Sequence, residues 1–200
     1  MIELNMKIDK ENLTGIILAG GKSSRMGQDK GLMELDGKPM VLHVADVLQS
    51  FCSEVIISTN NTAYGFLGKE LVADKVKGKG PIAGLHAGLS RSQTKWVAFI
   101  ACDTPFVQPW VYEQLMEHVA NADAAFPMHN GKTEPLIALF RQSALSKVEE
   151  QMANGDLKIH RLIETLNAVK VDFTQELHAF PNLFNNINTP EEFAHYLKKR

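Results

Sequence analysis

The chain has 200 residues, 44% of them hydrophobic and 22% charged, with a formal net charge of −2. That length suits one large α/β domain or two small ones with a substantial core. Its cations are scattered apart from Lys198, Lys199 and Arg200 at the end, which argues against a nucleic-acid-binding surface. No apolar run approaches the ~18 residues of a membrane span. The stretch before Thr14 carries Glu3, Lys7, Asp9, Lys10 and Glu11, too polar for the core of a secretory signal. With Cys52 and Cys102 as its two cysteines, the chain reads as a cytoplasmic protein with reduced thiols.

Residues 1–13 read as an N-terminal extension and residues 14–200 as one domain. Gly15 to Leu18 is the first strand-like run, followed by a helix-like stretch over Met40 to Phe51. Val41, Val44, Ala45, Leu48 and Phe51 form one apolar stripe along that helix. A strand is expected at Val55 to Ser58, a helix at Ile82 to Arg91, and a strongly apolar strand at Trp96 to Ala101. Helix over Val111 to Ala120 precedes strands at Ala124 to Met128 and Leu136 to Phe140. Helices at Ala144 to Ala153 and Ile159 to Thr165, a strand at Ala168 to Phe173 and a last helix at Pro190 to Lys198 complete the pattern. Thr189, Pro190, Glu191 and Glu192 spell a helix start: a hydroxyl cap, a proline at the first position, then acids. Short apolar runs alternating with helices imply an α/β chain with a single doubly wound, mostly parallel sheet flanked by helices. In such sheets ligands sit beyond the carboxyl ends of the strands.

After the first strand comes Leu18-Ala-Gly-Gly-Lys-Ser-Ser-Arg-Met-Gly-Gln-Asp-Lys30. Glycines let backbone N–H groups approach phosphate oxygens closely, and Arg25 and Lys30 supply positive charge. A solvated, glycine-rich surface loop would have the same composition. The P-loop spacing fails, because the position that needs its first glycine is Ile16. A Rossmann fingerprint fails in this loop because Gly20 and Gly21 are adjacent. Gly78-Lys-Gly80-Pro-Ile-Ala83 matches that fingerprint on paper, but no apolar strand leads into it.

This loop closely resembles the nucleotide loop of the molybdenum cofactor guanylyltransferases, members of a wider nucleotidyltransferase superfamily whose loop reads L-A-[GA]-G, then R-M-G, then lysine. The resemblance continues along nearly the whole chain, from Gly15 to Glu191. It implies a Rossmann-like nucleotidyltransferase fold, with Leu18, Ala19, Gly20, Gly21 and Lys30 binding nucleotide and Arg25 and Lys30 acting in catalysis. Asp36-Gly37-Lys38-Pro39 matches a turn before the family's first helix and needs no chemical role. Ser58-Thr59-Asn60 corresponds to a segment near the base, with Asn60 as the expected contact; a plain turn at Asn60-Asn61 is the alternative, and Ser58 departs from the family's asparagine. Asp74 with Gly78 to Gly84 resembles the family's D-x-x-x-G-x-G-P-[LI]-x-G element; an acid can accept from guanine's N1–H and N2–H₂ edge, which makes Asp74 an expected base or ribose contact, with a plain helix start as the alternative.

Ala101-Cys-Asp-Thr-Pro105 ends the strongest strand, where the family's aspartate binds metal. Asp103 is therefore the expected Mg²⁺ ligand and a catalytic residue, magnesium preferring one or two carboxylates alongside phosphate oxygens and water. An Asp that merely caps the next turn is the structural alternative. Glu134 and Pro135, in a G-x-x-E-P-L stretch, and Asn186 and Asn188, in an N-x-N-T-P-E stretch, match the acceptor side. The asparagines would serve equally as helix caps.

These matches imply transfer of GMP from GTP to the phosphate of molybdopterin, with Mg²⁺ as cofactor and cofactor-delivery proteins as further partners. A related cytidylyl- or sugar-phosphate nucleotidyltransferase, a GTP-binding NTPase or switch, and a nucleotide-sensing module are the alternatives. The seven histidines have no i, i+4 pair and form no zinc signature.

Overall fold

A computed structural model of the chain describes residues 8–20, 29–74 and 80–198. Strand β1 (Leu13–Leu18) is followed by a small hairpin, β2 (Glu34–Leu35) and β3 (Lys38–Pro39). Helix α1 (Met40–Phe51) then leads to β4 (Glu54–Ser58) and β5 (Glu70–Val72). Helix α2 (Pro81–Arg91), β6 (Trp96–Ala101) and α3 (Pro109–His118) come next. They precede β7 (Ala124–His129), β8 (Lys132–Thr133) and β9 (Ile137–Arg141). Helices α4 (Leu145–Ala153) and α5 (Ile159–Thr165), strand β10 (Ala168–Asp172) and α6 (Pro190–Lys198) close the chain.

The main sheet runs β10-β7-β9-β6-β1-β4-β5, with β8 paired to β7. Strands β5, β4, β1 and β6 are mutually parallel, as are β10 and β7. Strand β9 is antiparallel to both of its neighbours. The alternating pattern implies a mostly parallel sheet, and β9 is the exception among these strands. The exception arises because no helix lies between β7 and β9, and without a crossover the chain returns only as an antiparallel strand. Consequently β9 brings its first residues to the edge where β6 ends.

Two helical layers cover the sheet, and the strand pleat sorts side chains between them. Leu13 and Ile17 of β1, with Trp96, Ala98 and Ile100 of β6, face α1 and α3. Ile16, Val97 and Phe99 face α2, α4 and α5. Helix α2 lies tight on the sheet: a Cβ added at Gly88 would come within 2.8 Å of Ile16 Cγ2. A third cluster of Leu35, Met40 and Ile187, with Phe193 and Tyr196 against it, ties α6 to the hairpin.

Local chemistry explains several boundaries. Asp36 and Gly37 both have positive φ, 55° and 73°, the combination of a two-residue hairpin turn. That turn makes Lys38–Pro39 a strand before α1 begins. Helix α3 starts two residues before the apolar run, because Pro109 occupies its first turn. The three-residue β5 has too short an apolar run to be legible as a strand. At α6 the expected cap is present: Thr189 Oγ1 accepts from Glu192 N at 3.2 Å, and Glu192 Oε2 accepts from Thr189 N at 3.2 Å, a reciprocal capping box.

Candidate active site

Four parallel strands and the start of β9 deliver their loops to one edge. Backbone bonds extend the ladder beyond the strands and fix those loops. Ala19 N donates to Ser58 O at 3.0 Å, Thr59 N to Val72 O at 2.9 Å, Cys102 N to Leu18 O at 3.0 Å, and Ala101 N to Leu136 O at 3.0 Å. Leu18, Ala19, Gly20, Asn60, Asp74, Asp103, Glu134 and Pro135 therefore share the carboxyl edge of the sheet. Arg25 and Gly21 lie outside the described residues, as do Gly78 and Lys79.

Asp103 follows β6, and the turn behind it is closed by Thr104, whose hydroxyl donates to Ala101 O at 2.7 Å. Its carbonyl accepts from Ile187 N at 2.9 Å, which docks the segment leading into α6 against the metal-candidate loop. Lys30 Nζ bridges the two: it lies 3.3 Å from Asp103 Oδ2 and donates to Asn188 Oδ1 at 2.6 Å. Both charged side chains keep only 19% of their surface exposed. Asp103 Oδ1 is buried and has no hydrogen-bond partner among the described residues. An ionised oxygen so placed is costly unless something positive meets it. The donor set of one carboxylate beside a glycine-led loop thus fits Mg²⁺, which prefers one or two carboxylates alongside phosphate oxygens and water. Grouped His, Cys, Asp and Glu ligands for another kind of metal centre are absent among the described residues.

Lys30 itself stands on a braced turn. Asp29 caps a short 3₁₀ helix, Lys30–Leu32, through Gly31 N at 3.1 Å, and accepts from Asn61 Nδ2 at 2.9 Å and from the Tyr64 hydroxyl. Burial first, then the neighbouring Cys102 and Asp29, pushes the Tyr64 hydroxyl far above its ordinary pKa, so it remains a donor.

At the other end of the edge, Ser58 Oγ donates to Asp74 Oδ1 at 3.2 Å. Burial raises the Asp74 pKa above the usual carboxylate value, and the Ser58 hydrogen bond counters part of that rise. Asn60 is exposed. Its neighbour Asn61 is committed to structure, holding Asp29 and accepting from Ala63 N at 3.0 Å. Gly80 opens α2 at φ 68°, ψ −161°, a conformation essentially confined to glycine, and Pro81 takes the first helical position.

Glu134 lies beside β7, where its Oε1 meets His129 Nε2 at 3.0 Å. His129 stacks flat on Phe184, with ring centroids 5.2 Å apart and planes 11° apart. Pro135 is buried. Asn186 Oδ1 is buried without a partner among the described residues. Asn188 joins Lys30 and Asp103 instead of Glu134, so the two asparagines of the motif do different things in this chain.

Ser58, Asn61, Tyr64 and His129 were not identified as site-forming from the sequence. Asp29 stood inside the quoted loop, but its partners come from a different segment that no spacing connects to it.

A doubly wound sheet thus carries a glycine-led loop, a lysine and a strand-end aspartate at its carboxyl edge, an arrangement suited to holding a nucleotide and a cation. The family model for the MobA-like NTP transferase domain matches residues 15–171. A molybdenum cofactor guanylyltransferase of Yersinia pestis is 36% identical over 193 residues, covering 94% of this chain and 97% of its own. The crystal structure of molybdopterin-guanine dinucleotide biosynthesis protein A from Archaeoglobus fulgidus, 30% identical, superposes with a TM-score of 0.76 over 92% of this chain and 96% of the other. A nucleotidyl transferase from Methanothermobacter, 18% identical with a TM-score of 0.73 over 94% and 99%, shares the fold. The chain belongs to the MobA-like NTP transferase family, and it is a nucleotidyltransferase. No helix among the described residues is long and apolar enough to cross a membrane.

Proposed function

We propose that this chain transfers GMP from GTP to the terminal phosphate of molybdopterin in a Mg²⁺-dependent reaction. The observation that carries this reading is Lys30 Nζ poised between Asp103 and Asn188, with Asp103 Oδ1 buried and without a hydrogen-bond partner among the described residues. The names of the curated relatives supply the choice of GTP and molybdopterin.

In the reaction an acceptor phosphate oxygen forms a bond to the α-phosphorus of GTP, and the bond from that phosphorus to the bridging oxygen of the β-phosphate breaks. Pyrophosphate departs with the electron pair. A phosphate acceptor is already ionised near neutral pH, so no side chain has to remove a proton. Much of the barrier lies in bringing two anions together and in charge gathering on the departing pyrophosphate. Lys30 supplies a fixed positive charge for this, and Arg25 a second, from the glycine-led loop. The backbone of Ala19 and Gly20 lets phosphate approach the strand end. Bound Mg²⁺, held by Asp103 Oδ1, would neutralise phosphate charge. Asp74, oriented by Ser58, would accept from the guanine edge, with Asn60 beside it. Glu134 and Asn186 would face the acceptor. Delivery proteins would bring the unstable pterin, and the free, buried Cys52 and Cys102 suit a cytoplasmic setting.

The deciding experiment offers the protein molybdopterin with GTP, CTP, ATP or UTP and Mg²⁺, measuring pyrophosphate and the mass of the pterin product. A GMP adduct with GTP is expected. A CMP adduct would move the chain to the cytidylyl branch, and release of GDP and phosphate without acceptor would make it an NTPase.

A further inference from the structure

We propose that Asp29 is a positioning residue for the transfer: it clamps the Lys30 turn to the base-side loop, so that Lys30 reaches Asn188 and Asp103 at the spot where the triphosphate must lie. This rests on the reading of Lys30 given above.

The clamp is built from three donors in two segments. Gly31 N belongs to the turn itself, while Asn61 Nδ2 and the Tyr64 hydroxyl come from the loop that follows β4. Asn61 has no freedom to turn away. Its Oδ1 accepts from Ala63 N at 3.0 Å and its backbone N–H donates to Thr59 Oγ1 at 3.1 Å. Tyr64 is completely buried, and beneath the turn there is no slack. A Cβ at Gly31 would overlap the Tyr64 hydroxyl and lie 3.1 Å from Cys102 Sγ. Cys102 adjoins Asp103, so the Lys30 turn is wedged between the strand-end aspartate and Tyr64. A flexible lysine would lose entropy on being fixed by substrate; one already seated by its own backbone loses less. The same bonds connect Thr59–Asn61 on the base side with Lys30 on the phosphate side, so both ends of a nucleotide would be gripped by one braced unit.

The test uses Asp29→Asn and Tyr64→Phe, each alone and combined with Lys30→Ala, in the full chain. Asp29→Asn keeps the shape but gives one of its three donors no acceptor. We expect kcat to fall about 10- to 100-fold, the scale set by misplacing a catalytic group by an ångström or so, with KM for the pterin unchanged. In the Lys30→Ala background the same substitution should have no further effect, because its action runs through Lys30. A crystal structure of Asp29→Asn should show Lys30 Nζ displaced from Asn188. Lys30 still seated on Asn188 and Asp103 in that structure would overturn the proposal, and so would a full additional loss in the Lys30→Ala background. Wild-type turnover by Lys30→Ala alone would instead remove the phosphate-binding reading, leaving the crystal structure to decide the clamp. Should Asp29→Asn unfold at assay temperature by thermal melt, Tyr64→Phe, which removes one hydroxyl, carries the same double-variant comparison.

Discussion

Lys30 and Asn188 stand 158 positions apart in the chain and meet at 2.6 Å. The contact joins the glycine-led loop to the segment that returns from the far edge of the sheet, and Lys30 also reaches Asp103 at 3.3 Å. Lys30→Ala should lower kcat on the order of 10²-fold or more, by comparison with losing one preorganised donor to a developing anion. Asn188→Ala leaves the ammonium in place with only its longer partner. Its loss should be smaller, about 10-fold, because one hydrogen bond to a charged group is worth roughly 1.5–3 kcal/mol and Asp103 retains part of it. Steady-state kinetics at saturating pterin would rank the two.

Asp103→Asn tests the metal assignment. An amide oxygen still fits the space but carries no charge, so the Mg²⁺ concentration for half-maximal turnover should rise. Losing a supporting residue around a metal costs about 10- to 100-fold in affinity, and losing the ligand itself should cost at least that. A magnesium titration unchanged in this variant would remove Asp103 as ligand.

The Asp74 pair predicts a pH effect with a definite sign. Burial lifts its pKa above 3.8 and Ser58 opposes the lift. In the proposed recognition of guanine Asp74 accepts in its ionised form, so KM for GTP should rise as pH falls through the folded-state value. Ser58→Ala removes the opposing hydrogen bond and should move that rise to higher pH. As to stability, a raised carboxylate pKa favours the folded state at low pH, and that contribution disappears as pH rises through the folded value. The KM and stability trends thus run in opposite directions, and parallel kinetics and denaturant titrations would separate them.

Gly88→Ala should destabilise the chain without touching the site. Replacing a helical glycine gains about 1 kcal/mol in propensity, while overpacking typically costs about 1–3 kcal/mol. The cost should win, because Ile16 is completely buried and branched, with Cγ1 and Cγ2 at 2.9 and 2.8 Å from the new methyl. Urea denaturation would show the lower midpoint.

Much of this protein is written in local pattern. Met40–Phe51, Trp96–Ala101 and Ile159–Thr165 have the same limits by periodicity and by structure, because apolar spacing and flanking breakers set both. The placement of Asp103 and Lys30 at one edge also follows from sequence, since each comes directly or shortly after a strand of a parallel set. Three-dimensional packing alone decided the rest. It set β9 between β6 and β7, bringing Glu134 to the edge where β6 ends. It gave Lys30 to Asn188 and Asp29 to Tyr64, partners that no periodicity links. It also placed Ser58 on Asp74. Local pattern records which face a residue presents, whereas these pairings depend on which segments the completed sheet sets side by side.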